Sequence, residues 1–383
     1  MKLFCRLYIL LFCIYGLQGA MYERGGLLAH TLLVVLLSVS LMCFIEVQFR
    51  YRLPWMLRTL SVLFLIWTVY GIVIIMTGNG VDWVSNYFYL RNITCSLLPI
   101  FPFYLFSKKG CLTENGLKKW FFIFVAVSIV QFNAVNDEVL TELYGNGMVR
   151  DEMTNNIGYI LLSLFPLLPL WNKKPLIQYL FWGICMLYIL FSIKRGAILI
   201  GGVCSIWFFI NTFKEKNSKG KQLWRFLLTI AIVVVSIHFI HDFFHASQYF
   251  AYRLESTLEG DSSGRGEIYK NYFAFFLQQT NMLRFLFGNG ADATLRLFGQ
   301  YAHNDWLEIG INNGVAVLFL YFIFWIQLFS NIRNSKSDNM CHMMLAMFFL
   351  IYFMKSLISM SYNDISVYSS CAFGFALAKM DNG

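Results

Sequence analysis

The sequence predicts an all-α fold, a polytopic integral membrane bundle of about twelve transmembrane helices with one long external loop. Of the 383 residues 58% are hydrophobic and only 13% are charged, whereas a soluble domain carries about 25% charged residues. Apolar runs near the ~20 residues that span a bilayer recur along the whole chain. Polar residues are concentrated in one stretch, 241–309. We therefore expect a single transmembrane domain over residues 1–383.

Twelve spans are predicted from the apolar runs. They lie near 4–20, 26–46, 59–77, 92–106, 119–135, 157–171, 175–193, 196–213, 224–240, 311–330, 340–358 and 366–379. The first run has signal-peptide features, because Lys2 and Arg6 precede it and Gly19-Ala20 follow it. Gln18 fits the −3 cleavage position poorly, so a retained helix is favoured over a cleaved signal.

The distribution of basic residues predicts the orientation. With the N-terminus inside, the 30 lysines and arginines divide 19 to 11 between the cytoplasmic and external sides, and the 21 acids divide 5 to 16. Cytoplasmic loops carry an excess of Lys and Arg. Both termini are therefore expected in the cytoplasm, and the net charge of +9 carries no implication of nucleic-acid binding.

The long external loop, 241–309, is the expected functional region, since long loops in compact domains usually carry function. Its segment "GRGEIYKNYFAFFLQQT" (264–280) has apolar residues at near-helical spacing and predicts an amphipathic helix over the bundle. "FGNGAD" (287–292) predicts a glycine turn. The chain then re-enters the membrane, so His303 is expected outside, at the mouth of the span near 311–330.

Lys194 and Arg195 are expected between two tightly connected spans on the external side, against the positive-inside tendency. Charge at such a position is a functional hypothesis by default. The alternative is that both side chains reach out to lipid headgroups. Arg265 lies between two glycines at a helix start, where it could also be a plain surface cation.

Arg195, Arg265 and His303 together fit one kind of chemistry. Arginine binds phosphate oxygens bidentately and keeps its charge. Histidine titrates near neutral pH and can accept a proton from a hydroxyl. Displacing a lipid diphosphate from a sugar requires an activated acceptor hydroxyl and stabilisation of charge on the leaving group. One base and two cations supply both, so neither a metal ion nor another cofactor is expected.

Three further polar residues follow His303. Asn304, Asp305 and Glu308 occupy helix-starting positions, where side-chain oxygens cap a helix and acids stabilise its N-terminal dipole. The competing interpretation gives them a supporting role in orienting His303, as Lys194 would support Arg195.

A family resemblance rests on the same residues. "YAHNDWLEIGINNG" (301–314) resembles the signature of the O-antigen ligase and O-antigen polymerase superfamily, and "SIKRGAIL" and "SSGRGEIYKNY" resemble its two arginine segments. The order of Arg195, Arg265, the long external loop, His303 and a following span is also similar. We take 190–330 as the O-antigen ligase-related region.

The resemblance implies a GT-C-like inverting glycosyltransferase in the bacterial inner membrane, independent of metal. It would take its glycan from undecaprenyl diphosphate on the periplasmic face. Arg195 and Arg265 would hold the diphosphate, and His303 would be the base. The acceptor would be a lipid-linked repeat unit for a polymerase or the lipid A core for a ligase of lipopolysaccharide biosynthesis. The loop is short beside those of the family's ligases, which slightly favours a polymerase.

Other functions remain open from sequence. A polysaccharide transporter or flippase should show repeated halves and charges within its spans, but Lys355 is nearly the only such charge. A metal-dependent lipid-linked glycosyltransferase should have an acidic motif in its first external loop, where only Glu23 occurs. His238, His241 and His245 share a helical face, but without an HExxH motif a metal site there is disfavoured. A purely structural assembly protein is also possible.

Overall fold

A computed structural model of the chain describes residues 1–78, 87–145, 155–214, 264–334 and 339–381, with isolated positions between 227 and 255. Every regular element in these ranges is helical, which confirms the all-α prediction. The helices are α1 (Lys2–Gly16), α2 (Leu27–Arg50), α3 (Trp55–Thr77), α4 (Phe88–Leu97), α5 (Ile100–Lys108), α6 (Glu114–Gly145), α7 (Ile157–Leu162), a 3₁₀ helix (Phe165–Trp171), α8 (Pro175–Phe191), α9 (Arg195–Lys214), α10 (Arg265–Leu277), α11 (Met282–Phe287), α12 (Ala293–Phe298), α13 (Asp305–Asn334), α14 (Asn339–Ile358) and α15 (Val367–Met380).

Six of the described helices are long and apolar enough to cross a bilayer. The six apolar segments are Leu27–Arg50, Trp55–Thr77, Glu114–Asp137, Arg195–Thr212, Asp305–Arg333 and Met340–Ile358. The 3₁₀ helix with α7, and α8, are shorter apolar segments. The chain is thus a multi-pass membrane protein. The described residues contain fewer helices of spanning length than the twelve predicted spans, so that number stays a prediction. The predicted span 224–240 and the histidine cluster lie outside the continuously described residues.

Two predicted spans are divided in the structure. The run 92–106 becomes α4 and α5, which separate at Leu98 and Pro99. The run 157–171 becomes α7 followed by a 3₁₀ helix that contains Pro166 and Pro169. Proline has no backbone N–H and its ring clashes with the preceding turn, so it interrupts an α-helix that composition alone would continue.

The C-terminal helices form the centre of the bundle. Helix α15 packs along α5, and α14 packs against the 3₁₀ helix, α13 and α15. The α5–α15 approach is close: a Cβ at Gly374 would lie 2.7 Å from the backbone nitrogen of Tyr104 and 2.8 Å from the carbonyl oxygen of Ile100. Glycine is therefore required there for packing.

Helix α13 starts at Asp305, before the predicted start near 311, and is interrupted at Gly314 (φ 80°, ψ 177°). The carbonyls of Ile311 and Asn312 accept hydrogen bonds from the backbone N–H groups of Asn289 (3.0 Å) and Gly290 (2.9 Å). Carbonyls at a helix break within a membrane need such partners. The predicted glycine turn, which is confirmed, supplies them and thereby docks onto the break.

The predicted helix over 264–280 is also confirmed, as α10. Its Tyr272 is buried and donates from its hydroxyl to the carbonyl oxygen of Gln300 at 2.7 Å. The aromatic ring of Tyr272 stacks on Phe298 with ring centroids 4.2 Å apart. These contacts join α10 to the chain just before His303.

Candidate active site

A cleft of about 1530 Å³, open solvent at its mouth included, lies where α4, α7, α10, the segment 300–304 and the C-terminal end of α14 converge. The connection between α14 and α15, residues 359–366, completes its wall. Its charged or titratable lining comprises Lys194, Tyr159, Arg265, Tyr301, His303, Tyr352, Lys355, Asp364 and Cys95. The remaining polar lining includes Asn92, Asn156 and Asn363.

His303 stands in this lining with a left-handed backbone (φ 52°). A positive φ is uncommon outside glycine and costs of the order of 1–3 kcal/mol, so surrounding contacts must impose it. Before the turn, the N–H of Ala302 donates to the Glu308 carboxylate at 2.8 Å. At the turn, the His303 carbonyl accepts from the Tyr269 hydroxyl at 3.1 Å. The turn is therefore fixed from both sides and leaves the imidazole exposed at the cleft.

The surroundings lower the pKa of His303 below its ordinary value of 6.5. The main cause is the protein around the ring, which reduces the hydration of the imidazolium even though part of the side chain stays accessible. The positive charges of Arg265 and Lys194 act in the same direction. A histidine with a lowered pKa is neutral near pH 7, which is the form that can accept a proton.

Asn304 caps α13. Its side-chain oxygen accepts from the N–H groups of Trp306 (3.0 Å) and Leu307 (3.2 Å), as an N-cap residue does. Its amide nitrogen donates to the carbonyl oxygen of Leu357 at 3.0 Å. Asn304 thus starts α13 and attaches that start to the end of α14.

Asp305 is fully buried and its carboxylate is surrounded by donors. The Tyr321 hydroxyl donates at 2.6 Å, the Ser361 N–H at 2.8 Å and the Tyr362 N–H at 3.0 Å. The Ser361 hydroxyl donates as well. Asp305 therefore attaches the start of α13 to the 359–366 connection that forms one wall of the cleft.

Glu308 is also fully buried. Besides the Ala302 N–H, its carboxylate accepts from the Asn312 side-chain amide at 3.0 Å and from the Thr294 hydroxyl. The Thr294 N–H in turn donates to the Asn312 side chain at 2.9 Å. These bonds connect α12, the helix break and the residue before His303. Within the described part of the chain, the hydrogen bonds of Asp305 and Glu308 hold backbone segments, and none joins either carboxylate to the imidazole.

Arg265 is the first residue of α10, which follows Gly264 in a left-handed conformation (φ 75°). Its guanidinium donates to the carbonyl oxygen of Ile358 at the end of α14. One turn later, the Tyr269 hydroxyl lies 3.4 Å from the carbonyl oxygen of Leu357. Helix α10 is thus fixed on the same turn of α14 as Asn304. Arg265 is half-buried and lines the cleft.

The predicted pair Lys194 and Arg195 is divided between two positions. Lys194 lines the cleft, whereas Arg195 is the first residue of α9 and is not among the described lining residues. The preceding turn has Ile193 in a left-handed conformation (φ 50°). The structure therefore brings Arg265, His303 and Lys194 to one cleft. Arg195 is adjacent to Lys194 in sequence but is not among the described lining residues.

Three parts of the site were not predicted from the sequence: Lys355, Tyr159 and the 359–366 connection. Tyr159 and residues 359–366 are ordinary membrane-protein sequence, and only the fold brings them to the cleft. Lys355 did carry a signal, because a charge within an apolar span is a functional candidate by default.

Residues 178–322 match the family described as O-antigen ligase. This match confirms the resemblance to the O-antigen ligase and polymerase superfamily. The matched region runs from α8 into α13 and contains Lys194, Arg195, Arg265 and His303. The family indicates a membrane glycosyltransferase-like enzyme with lipid-linked glycan substrates. Searches of curated proteins and of solved structures gave no match.

Proposed function

We propose that the protein is an inverting glycosyltransferase of the bacterial inner membrane. It transfers a glycan from undecaprenyl diphosphate to a sugar hydroxyl on the periplasmic face. The observation that carries this proposal is the position of His303, with a lowered pKa, in one cleft with Arg265 and Lys194. The cleft combines a neutral base with cations, the two components that the displacement of a lipid diphosphate requires.

In the proposed reaction, an acceptor hydroxyl attacks the anomeric carbon of the donor glycan. His303 takes the hydroxyl proton as the new glycosidic bond forms, and the bond between the anomeric carbon and the diphosphate oxygen breaks. Undecaprenyl diphosphate leaves with the bonding electron pair. A single displacement of this kind inverts the anomeric centre.

Arg265 is proposed to hold the diphosphate, since guanidinium groups match phosphate oxygens bidentately. Lys194 contributes a second positive charge at the cleft. Arg195, at the start of α9 and next to Lys194 in sequence, is proposed as the second diphosphate-binding arginine, with Lys194 in support. Because cations neutralise the leaving group, the reaction is proposed to need neither a metal ion nor another cofactor.

The direct test is transfer by purified protein in lipid vesicles, supplied with an undecaprenyl diphosphate-linked glycan. A lipid-linked repeat unit and a lipid A core are offered separately as acceptors. Product from the first identifies a polymerase, which the short loop slightly favours, and product from the second identifies a ligase.

Transfer activity of the purified protein should survive EDTA. If product is lost in EDTA and returns on addition of magnesium or manganese, the reaction requires a metal ion and the proposed neutralisation of the diphosphate by side chains alone is wrong. Movement of intact donor across the bilayer without product would favour the flippase alternative.

The proposed orientation has its own test in whole cells. Thr113→Cys, in the exposed loop between α5 and α6, should be cytoplasmic, and Lys270→Cys, exposed on α10, should be periplasmic. Both are made in a background with Cys95→Ser and Cys111→Ser, because these two native cysteines are not buried. An impermeant thiol reagent should label position 270 before lysis and position 113 only after it. The reverse pattern would place the cleft on the wrong side for a periplasmic reaction.

A further inference from the structure

Lys355 is a buried cation within the cleft wall. It belongs to the last turn of α14, and its side chain is 4% exposed. Its ammonium is ion-paired with the Asp364 carboxylate and donates to the Asp364 carbonyl oxygen at 3.0 Å. It lies 4.9 Å from the ring centroid of Tyr159 and 5.9 Å from that of Tyr352. Both tyrosines line the cleft beside it.

The two partners of this ion pair differ strongly in exposure. Asp364 is 68% exposed, so its carboxylate can turn into water at little cost. Lys355 cannot do the same, because its ammonium is enclosed by aromatic rings and backbone, and a buried charge requires an anionic or hydrogen-bonding partner. The pair is therefore suited to exchange, in which another anion takes the place of the carboxylate.

The turn that carries Lys355 also holds the other site residues. Ile358 accepts the hydrogen bond of Arg265, and Leu357 accepts that of Asn304. The Ser356 hydroxyl accepts from the indole N–H of Trp306 at 3.2 Å. Lys355 is thus fixed by the same helical turn as the predicted diphosphate-binding arginine and the start of α13.

The charge of the cleft has an excess of cations. Among the described lining residues, Lys194, Arg265 and Lys355 are positive and Asp364 is the only acid. A lipid diphosphate carries negative charge on each of its phosphates. Asp364 offsets one of these three cations through its ion pair with Lys355.

We propose that Lys355 is a donor-binding residue, whose ammonium bonds to an oxygen of the donor's diphosphate while Asp364 turns away into solvent. This inference rests on the proposed function and adds to it a cation from α14, outside the segments that resemble the family.

The test is binding of a polyprenyl diphosphate to the full-length protein in nanodiscs, with the matching polyprenyl monophosphate as reference ligand. Lys355→Met should weaken diphosphate binding at least about tenfold, the loss expected of one charge-assisted hydrogen bond. Asp364→Asn should leave binding unchanged or tighten it, because it removes the competing anion. Lys270→Met, an exposed lysine of α10 outside the cleft lining, is the matched control and should bind as wild type does.

Two outcomes overturn the inference and differ from each other. If Arg265→Ala loses diphosphate binding while Lys355→Met keeps it, the diphosphate site stands and Lys355 serves only as the structural partner of Asp364. If wild type binds the diphosphate no better than the monophosphate, the proposed donor site fails and the role of Lys355 with it. Should Lys355→Met fail to fold, Asp364→Asn still decides, since weaker binding in that variant contradicts an exchange of partners.

Discussion

His303 and Asp305 are two residues apart and have opposite environments. His303 is exposed at the cleft in a left-handed turn, and its imidazole is part of the cleft lining. Asp305 is fully buried, and its carboxylate is surrounded by donors from Tyr321, Ser361 and Tyr362. The same short polar motif therefore contains His303, which lines the cleft, and Asp305, which connects the start of α13 to the 359–366 segment.

This contrast shows how buried carboxylates can fix an exposed side chain at the wall of a cleft. The buried carboxylates of Asp305 and Glu308 hold the segments on both sides of His303, so that the turn between them has little freedom. We infer that the chemistry belongs to the exposed residue and the rigidity to the buried ones.

The largest effect is expected for His303→Ala. Removing a general base typically costs about 10²–10⁴-fold in rate. Among the described residues, the only side-chain hydrogen bond to His303 is accepted by its backbone carbonyl, which the substitution keeps. We expect that loss in glycan transfer per molecule of enzyme, with normal membrane insertion and thermal stability. Transfer at near wild-type rate would show that His303 is only part of a helix-starting turn.

Asp305→Ala should instead affect stability. It leaves the Tyr321 hydroxyl and two backbone N–H groups without their acceptor, and each unsatisfied buried donor costs about 1–3 kcal/mol. A loss of at least about 2 kcal/mol is expected, measured as a lower midpoint of thermal aggregation in detergent. Glu267→Ala, an exposed acid of α10, is the matched control and should not move the midpoint. A stable but inactive Asp305→Ala would assign the carboxylate to the chemistry.

The pH profile should report the lowered pKa of His303. A base acts in its neutral form, so transfer should decline on acidification only below pH 6.5, the ordinary pKa. Lys194→Met removes a positive charge that lowers the pKa of His303, so the acid limb should move to higher pH. The measurement is kcat/KM against pH for both proteins. If the acid limb of the profile lies at the same pH in Lys194→Met as in wild type, the charge of Lys194 does not affect the pKa of the base.

The smallest effect is expected for Asn304→Ala. Losing an N-cap costs about 0.5–2 kcal/mol of stability, and the bond to Leu357 is lost with it. Because the side chain acts on the helix start rather than on the substrate, transfer should fall less than about tenfold, well under the loss that removal of a base causes. Thermal stability and transfer of Asn304→Ala and His303→Ala are compared in one preparation. If Asn304→Ala loses as much transfer activity as His303→Ala does, Asn304 takes part in the reaction and is more than a helix cap.

Helices that consist of one uninterrupted apolar run were predicted well from the sequence. The expected spans 26–46 and 340–358 correspond to α2 and α14 within a few residues. The runs 92–106 and 157–171 were expected to be continuous, because hydropathy counts composition and not backbone hydrogen bonds. Prolines at 99, 166 and 169 divide them.

Arg265 and His303 were each proposed from a separate short motif, and their roles stay predictions. His303 and Arg265 lie in one cleft, as a shared role requires. Lys355 was not assigned to the site from the sequence. Its contact with Tyr159 joins two helices that are far apart in sequence, and its ion pair with Asp364 involves a connecting segment that has no recognisable motif. The separate positions of Lys194 and Arg195 depend on a backbone turn at Ile193 that composition does not encode.

The most direct test of the central claim measures donor binding and glycan transfer separately in His303→Ala and Arg265→Ala. We expect His303→Ala to bind the undecaprenyl diphosphate-linked donor nearly as wild type does and to transfer almost none of it. Arg265→Ala should lose donor binding, and its transfer should fall with it. If His303→Ala loses donor binding as completely as Arg265→Ala does, His303 is not the base and the assignment of roles within the cleft is wrong.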